Sequence, residues 1–189
     1  MRLMPRALRR GSFSPADAKK QGIDHYRLYR WLQEGVLERL ERGVYRVPQL
    51  DYDDETAFRS ATLRVGKKSA VCLLSALIFY GVTDEIPRKT WLMVEQQKRS
   101  KHQDLRLIRV ANPRWKAGIV SRPGYQITSL ERTLVDCLVW KRHLGTILGV
   151  QSLKYALQHR KTTLSRVIDM AAQLGVLERI QPLIEVLAS

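Results

Sequence analysis

The chain has 189 residues, of which 44% are hydrophobic and 27% are charged, and this is the composition of an ordinary folded protein. Its 33 Lys and Arg residues outnumber its 18 Asp and Glu residues, so the net charge is +15. A balance this basic favours an anionic partner, either a nucleic acid or a membrane surface; the alternative is a basic surface that serves only solubility. The longest apolar stretch, Ala70–Val82, is too short to span a bilayer, and the N-terminus lacks the apolar region of a signal peptide. A cytoplasmic location is therefore predicted.

The chain is predicted to contain two domains, residues 1–50 and residues 51–189, because a proline and an acidic cluster follow a strongly basic segment near residue 50. The first domain is predicted to contain a short helix up to Arg10, helices at Pro15–Gln21 and Asp24–Glu34, and strands at Val36–Leu40 and Val44–Val47. The second is predicted to contain helices at Asp54–Val65, Ala70–Tyr80 and Ser129–Lys141, strands at Thr90–Glu95, Leu105–Val110 and Tyr125–Thr128, and further helical pieces.

The first domain carries the pattern of a helix-turn-helix. Ser14 is suited to cap a helix that has Pro15 at its first position, and Asp17 lies near the positive end of that helix. Gly22 ends the helix, since glycine tolerates the left-handed conformation of a C-cap, and Asp24 caps the next helix almost at once. Two short helices with a tight, glycine-containing turn are typical of this motif.

The second helix of the motif is amphipathic. On a wheel of about 100° per residue, Leu28, Trp31 and Leu32 share a face that is predicted to be core. The opposite face is basic and aromatic toward the N-terminal half, from which recognition helices contact bases. Arginine suits guanine edges and phosphates, and tyrosine hydroxyls suit phosphates. The DNA-binding residues predicted on this helix are His25, Tyr26, Arg27, Tyr29 and Arg30.

A basic hairpin is predicted directly after this helix. Two β-rich runs between Gly35 and Val47 flank a Glu-Arg-Gly turn, which is a hairpin signal. Arg39, Arg42 and Arg46 would place positive charge at its tip and flanks, suited to the DNA backbone or the minor groove. The ordered series of capped helix, glycine turn, basic helix and basic hairpin predicts a winged helix-turn-helix.

Three stretches resemble the AbiEi family, the antitoxins and regulators of type IV toxin–antitoxin, or abortive infection, systems. Gly35–Arg46 is similar to the family's glycine, hairpin and Arg-Gly-Val-Tyr pattern. Ser75–Asp84 is similar to its Ser-Ala-Leu helix that ends in Gly and Thr or Ser, and Thr128–Asp136 is similar to its Arg-Thr-Leu-Val-Asp helix start. The resemblance spans most of the chain, although the first helix, within Met1–Arg10, looks shortened.

The resemblance implies an α+β protein in which an N-terminal winged helix-turn-helix is followed by a mixed α/β antitoxin-like domain. It implies a non-enzymatic, sequence-specific repressor that autoregulates its own operon through inverted repeats in double-stranded DNA, on the bacterial nucleoid. It also implies functional pairing with a nucleotidyltransferase-like toxin without a tight complex, and no membrane partner. Standalone regulators share this architecture, so a regulator without antitoxin activity is the alternative.

A second basic region lies in the second domain, where Arg88–Lys116 contains nine basic and two acidic residues. Lys98, Arg99 and Lys101 fall in a loop between two predicted strands and are predicted to contact phosphates beside the winged helix. The alternatives are a solvated hairpin tip or a role in antitoxin activity.

The remaining chemistry-bearing residues predict no catalytic residue, metal site or cofactor. Cys72 and Cys137 lie far apart in apolar runs, which predicts buried free thiols. Arg132 and Asp136 are four residues apart and are predicted to pair on one face of a helix. The carboxylates are scattered, whereas a metal-dependent nuclease needs them clustered, so a nucleic-acid-processing enzyme is the less favoured alternative.

Overall fold

The computed structural model describes residues 4–9, 11–48, 54–99 and 102–188. Contacts between residues divide the chain into a first unit, Met1–Lys67, and a second unit, Lys68–Ser189. Helices and a mixed β-sheet together make an α+β protein, which confirms the predicted fold class at that level.

The first unit begins with a 3₁₀ turn at Arg6–Leu8. It continues with helices α1 (Pro15–Lys20) and α2 (His25–Gln33), strands β1 (Glu38–Glu41) and β2 (Val44–Arg46), and helix α3 (Asp54–Val65). The predicted short helix up to Arg10 is therefore only partly correct, because the described residues form a single 3₁₀ turn, and Arg10 itself lies outside them. One turn that ends at Leu8 is too short to propagate as an α-helix.

Helix α3 is grouped with the first unit, although the predicted first domain ends at residue 50. The guanidinium of Arg64 on α3 lies 3.0 Å from the carboxylate of Glu41 on β1, and α3 also contacts β2. The acidic cluster that suggested a boundary continues into the first turn of α3. There the negative charges of Asp54 and Glu55 stabilise the positive N-terminal end of the helix. Residues 49–53 lie outside the described part of the chain.

The second unit contains strands β3 (Ser69–Val71), β4 (Thr90–Glu95), β5 (Leu105–Val110), β6 (Ile119–Arg122) and β7 (Tyr125–Thr128). Its helices are α4 (Leu73–Phe79), α5 (Leu130–Val139), α6 (Lys141–Leu144), α7 (Thr146–Gln158), α8 (Leu164–Leu174) and α9 (Leu177–Ala188). The strands form one sheet in the order β5-β4-β3-β7-β6. The pairs β3–β7 and β4–β5 are parallel, and β3–β4 and β6–β7 are antiparallel.

The predicted helix Ala70–Tyr80 is only partly correct, because its first residues form the central strand β3. Ser69–Val71 pairs with β4 on one side and with β7 on the other, and all three residues are buried. Leu73 then starts α4 with a φ of 48°, a left-handed conformation that turns the chain sharply from strand to helix. A continuous apolar run fits a buried strand and a buried helix equally well, so its periodicity gave no signal of this break.

Strands β4 and β5 are parallel, so the segment between them is not a hairpin. Thr90 pairs with Leu105 and Glu95 with Val110. The connection between the two strands must therefore run from the end of β4 back past its start, where β5 begins. The hairpin suggested in the alternative for Lys98 and Arg99 is therefore wrong, although both residues are exposed. Local sequence did not distinguish a parallel from an antiparallel pairing of β4 and β5, because both arrangements place a polar connection between two apolar strands.

Helix α5 lies at the centre of the second unit and contacts α4, α7, α8 and α9. Its buried Arg132 forms the predicted ion pair with Asp136, at 2.7 Å. The same guanidinium donates to the carbonyls of Trp115 and Ala117, at 2.9 and 2.6 Å. Gly118 follows with a φ of 69°, and a Cβ there would lie 2.8 Å from that of Arg132. The segment from Trp115 to Gly118 thus packs closely against the buried Arg132 side chain.

Both cysteines are buried and free, as predicted. Burial raises the pKa of the Cys72 and Cys137 thiols well above the usual value, because the charged thiolate loses its hydration. This places both residues among the packing groups of the core.

Candidate nucleic-acid interface

Helix α1 is fixed at both ends by the predicted capping residues. The Ser14 hydroxyl accepts a hydrogen bond from the Asp17 backbone N–H at 3.2 Å, and the Asp17 carboxylate accepts one from the Ser14 backbone N–H at 3.0 Å. At the other end Gly22 has a φ of 72° and donates to the Lys19 carbonyl, while Ile23 donates to the carbonyl of Ala18. These are the bonds of a Schellman cap, and they set the turn into α2.

Helix α2 begins at the predicted cap and has the predicted faces. The Asp24 carboxylate accepts the Arg27 backbone N–H at 2.8 Å. Leu28 and Trp31 are buried in the core of the unit, whereas Tyr26 and Tyr29 are 75% and 62% exposed. Large aromatic side chains this exposed bury little surface in the folded chain and leave both hydroxyls open to solvent.

The two arginines of α2 differ in their surroundings. The Arg30 Nε lies 2.8 Å from Glu34 Oε1 on the exposed face, and this hydrogen bond raises the pKa of the guanidinium. Arg27 is half-buried, with its guanidinium 5.6 Å from the centre of the Trp31 ring. His25 is exposed at the first position of the helix. The exposed face therefore unites Tyr26, Tyr29 and Arg30.

The hairpin formed by β1 and β2 carries its arginines in three settings. Arg42 is exposed at the two-residue turn, beside Gly43 with a φ of 82°. Arg39 donates from Nε to the Glu41 carbonyl at 3.2 Å. Arg46 forms an ion pair with Glu38 across the strand pair. Glu38 thus neutralises one of the three arginines that the sequence assigned to DNA.

A backbone bridge that the sequence did not reveal joins the segment before α1 to this hairpin. Phe13 and Tyr45 exchange both backbone hydrogen bonds, at 2.9 and 3.0 Å, and their rings lie 6.2 Å apart. Phe13 therefore acts as a third strand of one residue. No local signal marks a bridge of this length, because strand periodicity needs several residues.

The basic residues predicted in the second domain belong to the connection between β4 and β5. Lys98 and Arg99 are exposed, and the Lys98 carbonyl accepts a hydrogen bond from Arg109 Nε at 3.0 Å. Lys101 lies outside the described residues. Within the described ranges there is no group of three or more His, Cys, Asp and Glu residues placed to hold a metal ion. No described helix has the length and apolar character needed to cross a membrane.

The N-terminal segment is similar to a family of transcriptional regulators. Residues 1–48 match the family model described as "Transcriptional regulator, AbiEi antitoxin". The resemblance to the AbiEi family that the sequence predicted is thereby confirmed over these residues. They include α1, α2 and the hairpin, and therefore every residue of the candidate interface in the first unit.

The fold of the larger part of the chain is shared with a solved structure. The protein is similar to the RV2827C protein from Mycobacterium tuberculosis, at 16% sequence identity and a TM-score of 0.57. The similarity covers 93% of this chain and 76% of that one. At this identity it shows a common fold. No curated protein matches the sequence.

Proposed function

We propose that the first unit is a winged helix-turn-helix and that the protein is a sequence-specific, DNA-binding transcriptional repressor. In this proposal α2 is the recognition helix, the hairpin is the wing, and double-stranded DNA is the partner. The match of residues 1–48 to a family of transcriptional regulators supports the class.

The observation that carries the proposal is the exposed face of α2. Tyr26, Tyr29 and Arg30 lie on it without being needed for the core, which α2 supplies through Leu28 and Trp31. Two hydroxyls and a guanidinium on one face of a capped helix match phosphate oxygens and base edges in the major groove. His25 and Arg27 lie toward the N-terminal end of the helix, from which recognition helices reach bases.

The wing contributes charge next to this helix. Arg42 at its turn is placed to contact backbone phosphates, while Arg39 and Arg46 flank it. We assign Lys98, Arg99 and Lys101 of the second unit to further phosphate contacts. The net charge of +15 favours binding to a polyanion in general.

We further propose that the protein represses its own operon through inverted repeats, in the bacterial cytoplasm on the nucleoid. The family description supports an antitoxin role. We propose a nucleotidyltransferase-like toxin as the functional partner, without a tight complex between the two proteins. Neither role requires catalysis or a cofactor. A rescue assay with the neighbouring toxin gene separates an antitoxin from a standalone regulator.

The test is a gel-shift titration of the DNA upstream of the protein's own gene, with a scrambled duplex as control. Tyr26→Phe/Tyr29→Phe removes both hydroxyls and keeps both rings, and Tyr26→Ala/Tyr29→Ala removes the rings as well. If the hydroxyls bind phosphates, the Phe variant should lose about fivefold per hydroxyl on both duplexes, as expected for about 1 kcal/mol per hydrogen bond. Unchanged binding by the Ala variant would reject α2 as the DNA-binding helix.

A further inference from the structure

A groove in the second unit lies between the segment Gly81–Ile86, which follows α4, and one face of α7. Its volume is about 580 Å³. The α7 residues that line it are Leu148, Gln151, Ser152 and Tyr155. These positions follow the spacing i, i+3, i+4, i+7 of a single helix face, so one side of the groove is a continuous helical stripe.

The groove is acidic in a chain that is strongly basic. Asp84 and Glu85 are exposed in its wall, and neither forms an ion pair with another described residue. Among the described lining residues there is no Lys, Arg or His. The ammonium of Lys161 lies near its end but is bound to the Tyr80 carbonyl, at 2.9 Å. Both carboxylates are therefore available to a cation from outside.

Apolar and polar contacts lie beside these carboxylates. Ile86 is 88% exposed and Tyr155 is 41% exposed. One face of the Tyr155 ring stacks on His159, with 3.9 Å between the ring centroids, so Ile86 and the rest of Tyr155 form the apolar surface next to the two charges. Ser152 is only 1% exposed, lines the groove, and its hydroxyl has no hydrogen-bond partner among the described residues. Buried hydroxyls are normally bonded, so this one points to a group that enters the groove.

We propose that this groove binds a basic peptide segment of another protein, in which Arg or Lys alternates with an apolar side chain. The cations pair with Asp84 and Glu85, and the apolar side chain covers Ile86 and the ring of Tyr155. The lining favours an extended segment over a small ligand, because small-molecule sites enclose their ligand whereas the acidic wall here is exposed. Complementary charge selects the partner and orients it.

The test uses the full-length protein and a fluorescein-labelled peptide, Arg-Leu-Lys-Leu-Arg-Leu, by fluorescence polarisation at about 150 mM salt. A counterpart with Glu at every basic position controls for the apolar side chains. The proposal expects saturable binding of the basic peptide and none of the acidic one. General electrostatics favours the opposite order, since the whole chain carries +15.

Two groove variants and a matched control locate the site. Asp84→Asn/Glu85→Gln should weaken the basic peptide tenfold or more, and Ile86→Ser should weaken it about fivefold. Asp169→Asn/Glu178→Gln makes the same charge change at exposed sites on α8 and α9 and should leave the affinity unchanged. Circular dichroism confirms that each variant folds. A gel shift on promoter DNA should be the same for all variants. Failure of the peptide-binding proposal is therefore distinct from failure of the proposed DNA-binding function.

Three outcomes would overturn the proposal. One is absence of basic-peptide binding, and a second is equal weakening by the groove variants and the matched control. The third is sedimentation that shows a wild-type dimer lost in Ile86→Ser, which would make the groove an interface between copies of this chain.

Discussion

Glu34 holds the guanidinium of Arg30 in the free protein, with Arg30 Nε 2.8 Å from Glu34 Oε1 one turn later on α2. The pair lies on the exposed face that we assign to DNA. A phosphate or a guanine edge must therefore compete with this carboxylate, and Glu34 itself adds a negative charge beside the duplex. If α2 binds DNA as we propose, the Arg30–Glu34 pair lowers the affinity of this helix for DNA.

Replacing Glu34 with Gln should tighten DNA binding by about two- to fivefold, because an exposed helical ion pair is weak and its loss frees a cation. The gain should be larger on promoter DNA than on scrambled DNA, because the freed Arg30 is assigned to base contacts, and the salt dependence should become steeper because a negative charge is lost. Gel-shift titrations at several salt concentrations measure both. Glu178→Gln, in the second unit, is the matched control, and a similar gain there would show that only net charge matters.

The arginines of α2 should contact DNA bases, whereas the arginine at the hairpin turn should contact the DNA backbone. Arg30→Ala and Arg27→Ala should each weaken promoter binding by roughly ten- to hundredfold and relax sequence preference, because bidentate contacts to bases carry specificity. Arg42→Ala should weaken every sequence alike, since a wing tip contacts the backbone. The measurement is the ratio of promoter to scrambled affinity. Equal losses on both duplexes for the helix variants would contradict the assignment of α2.

Removing one partner of the buried ion pair between Arg132 and Asp136 should strongly destabilise the second unit. Arg132→Met leaves a buried carboxylate without its partner, and we expect a loss of about 3–5 kcal/mol at neutral pH in urea unfolding. Arg132→Met/Asp136→Asn removes both charges and should recover much of this loss.

The loss in Arg132→Met should also depend on pH. In the wild type, burial raises the pKa of Asp136 to about 6, although Arg132 lowers it. Without Arg132 the folded-state pKa rises further above the unfolded value, so the folded variant binds the proton more tightly. Its stability is therefore retained below the unfolded pKa, near about 4, and falls as pH rises toward the folded pKa. A cost that is equal at about pH 4.5 and pH 7 would refute this account.

The basic connection of the second unit should add phosphate contacts. Replacing Lys98, Arg99 and Lys101 with Ala should lower promoter affinity and reduce the slope of log affinity against log salt by up to about three. A toxicity-rescue assay runs alongside. Unchanged binding with failed rescue would assign these residues to antitoxin activity, and no change in either would leave them without a function in this account.

Local signals predicted most of the first unit. Ser14, Asp17, Gly22 and Asp24 fix helix ends through bonds to near neighbours, so the structure has them where the sequence put them. Features that depend on distant partners were not predictable. The break at Leu73, inside an apolar run, is set by strands on either side of β3. No spacing rule links Arg132 to the carbonyls of Trp115 and Ala117.

The candidate interface shows the same division. The faces of α2 follow from helical periodicity, and the exposed tyrosines lie where the wheel placed them. The pair of Arg46 with Glu38 was not predictable from the sequence, because pairing across a hairpin depends on register. The pair of Arg30 with Glu34 has the i, i+4 spacing of a helix and was missed although that spacing could have indicated it. The groove beside α7 was not predictable, since its two walls are distant in sequence.

The most direct test of the central claim is the affinity of the full-length protein for its own promoter DNA as salt rises from about 50 to about 200 mM. If the protein neutralises roughly six phosphates, affinity should fall about 10³-fold over this range. The promoter should also remain preferred over scrambled DNA at every salt concentration. Absence of promoter binding, or binding that does not respond to salt, would contradict the account.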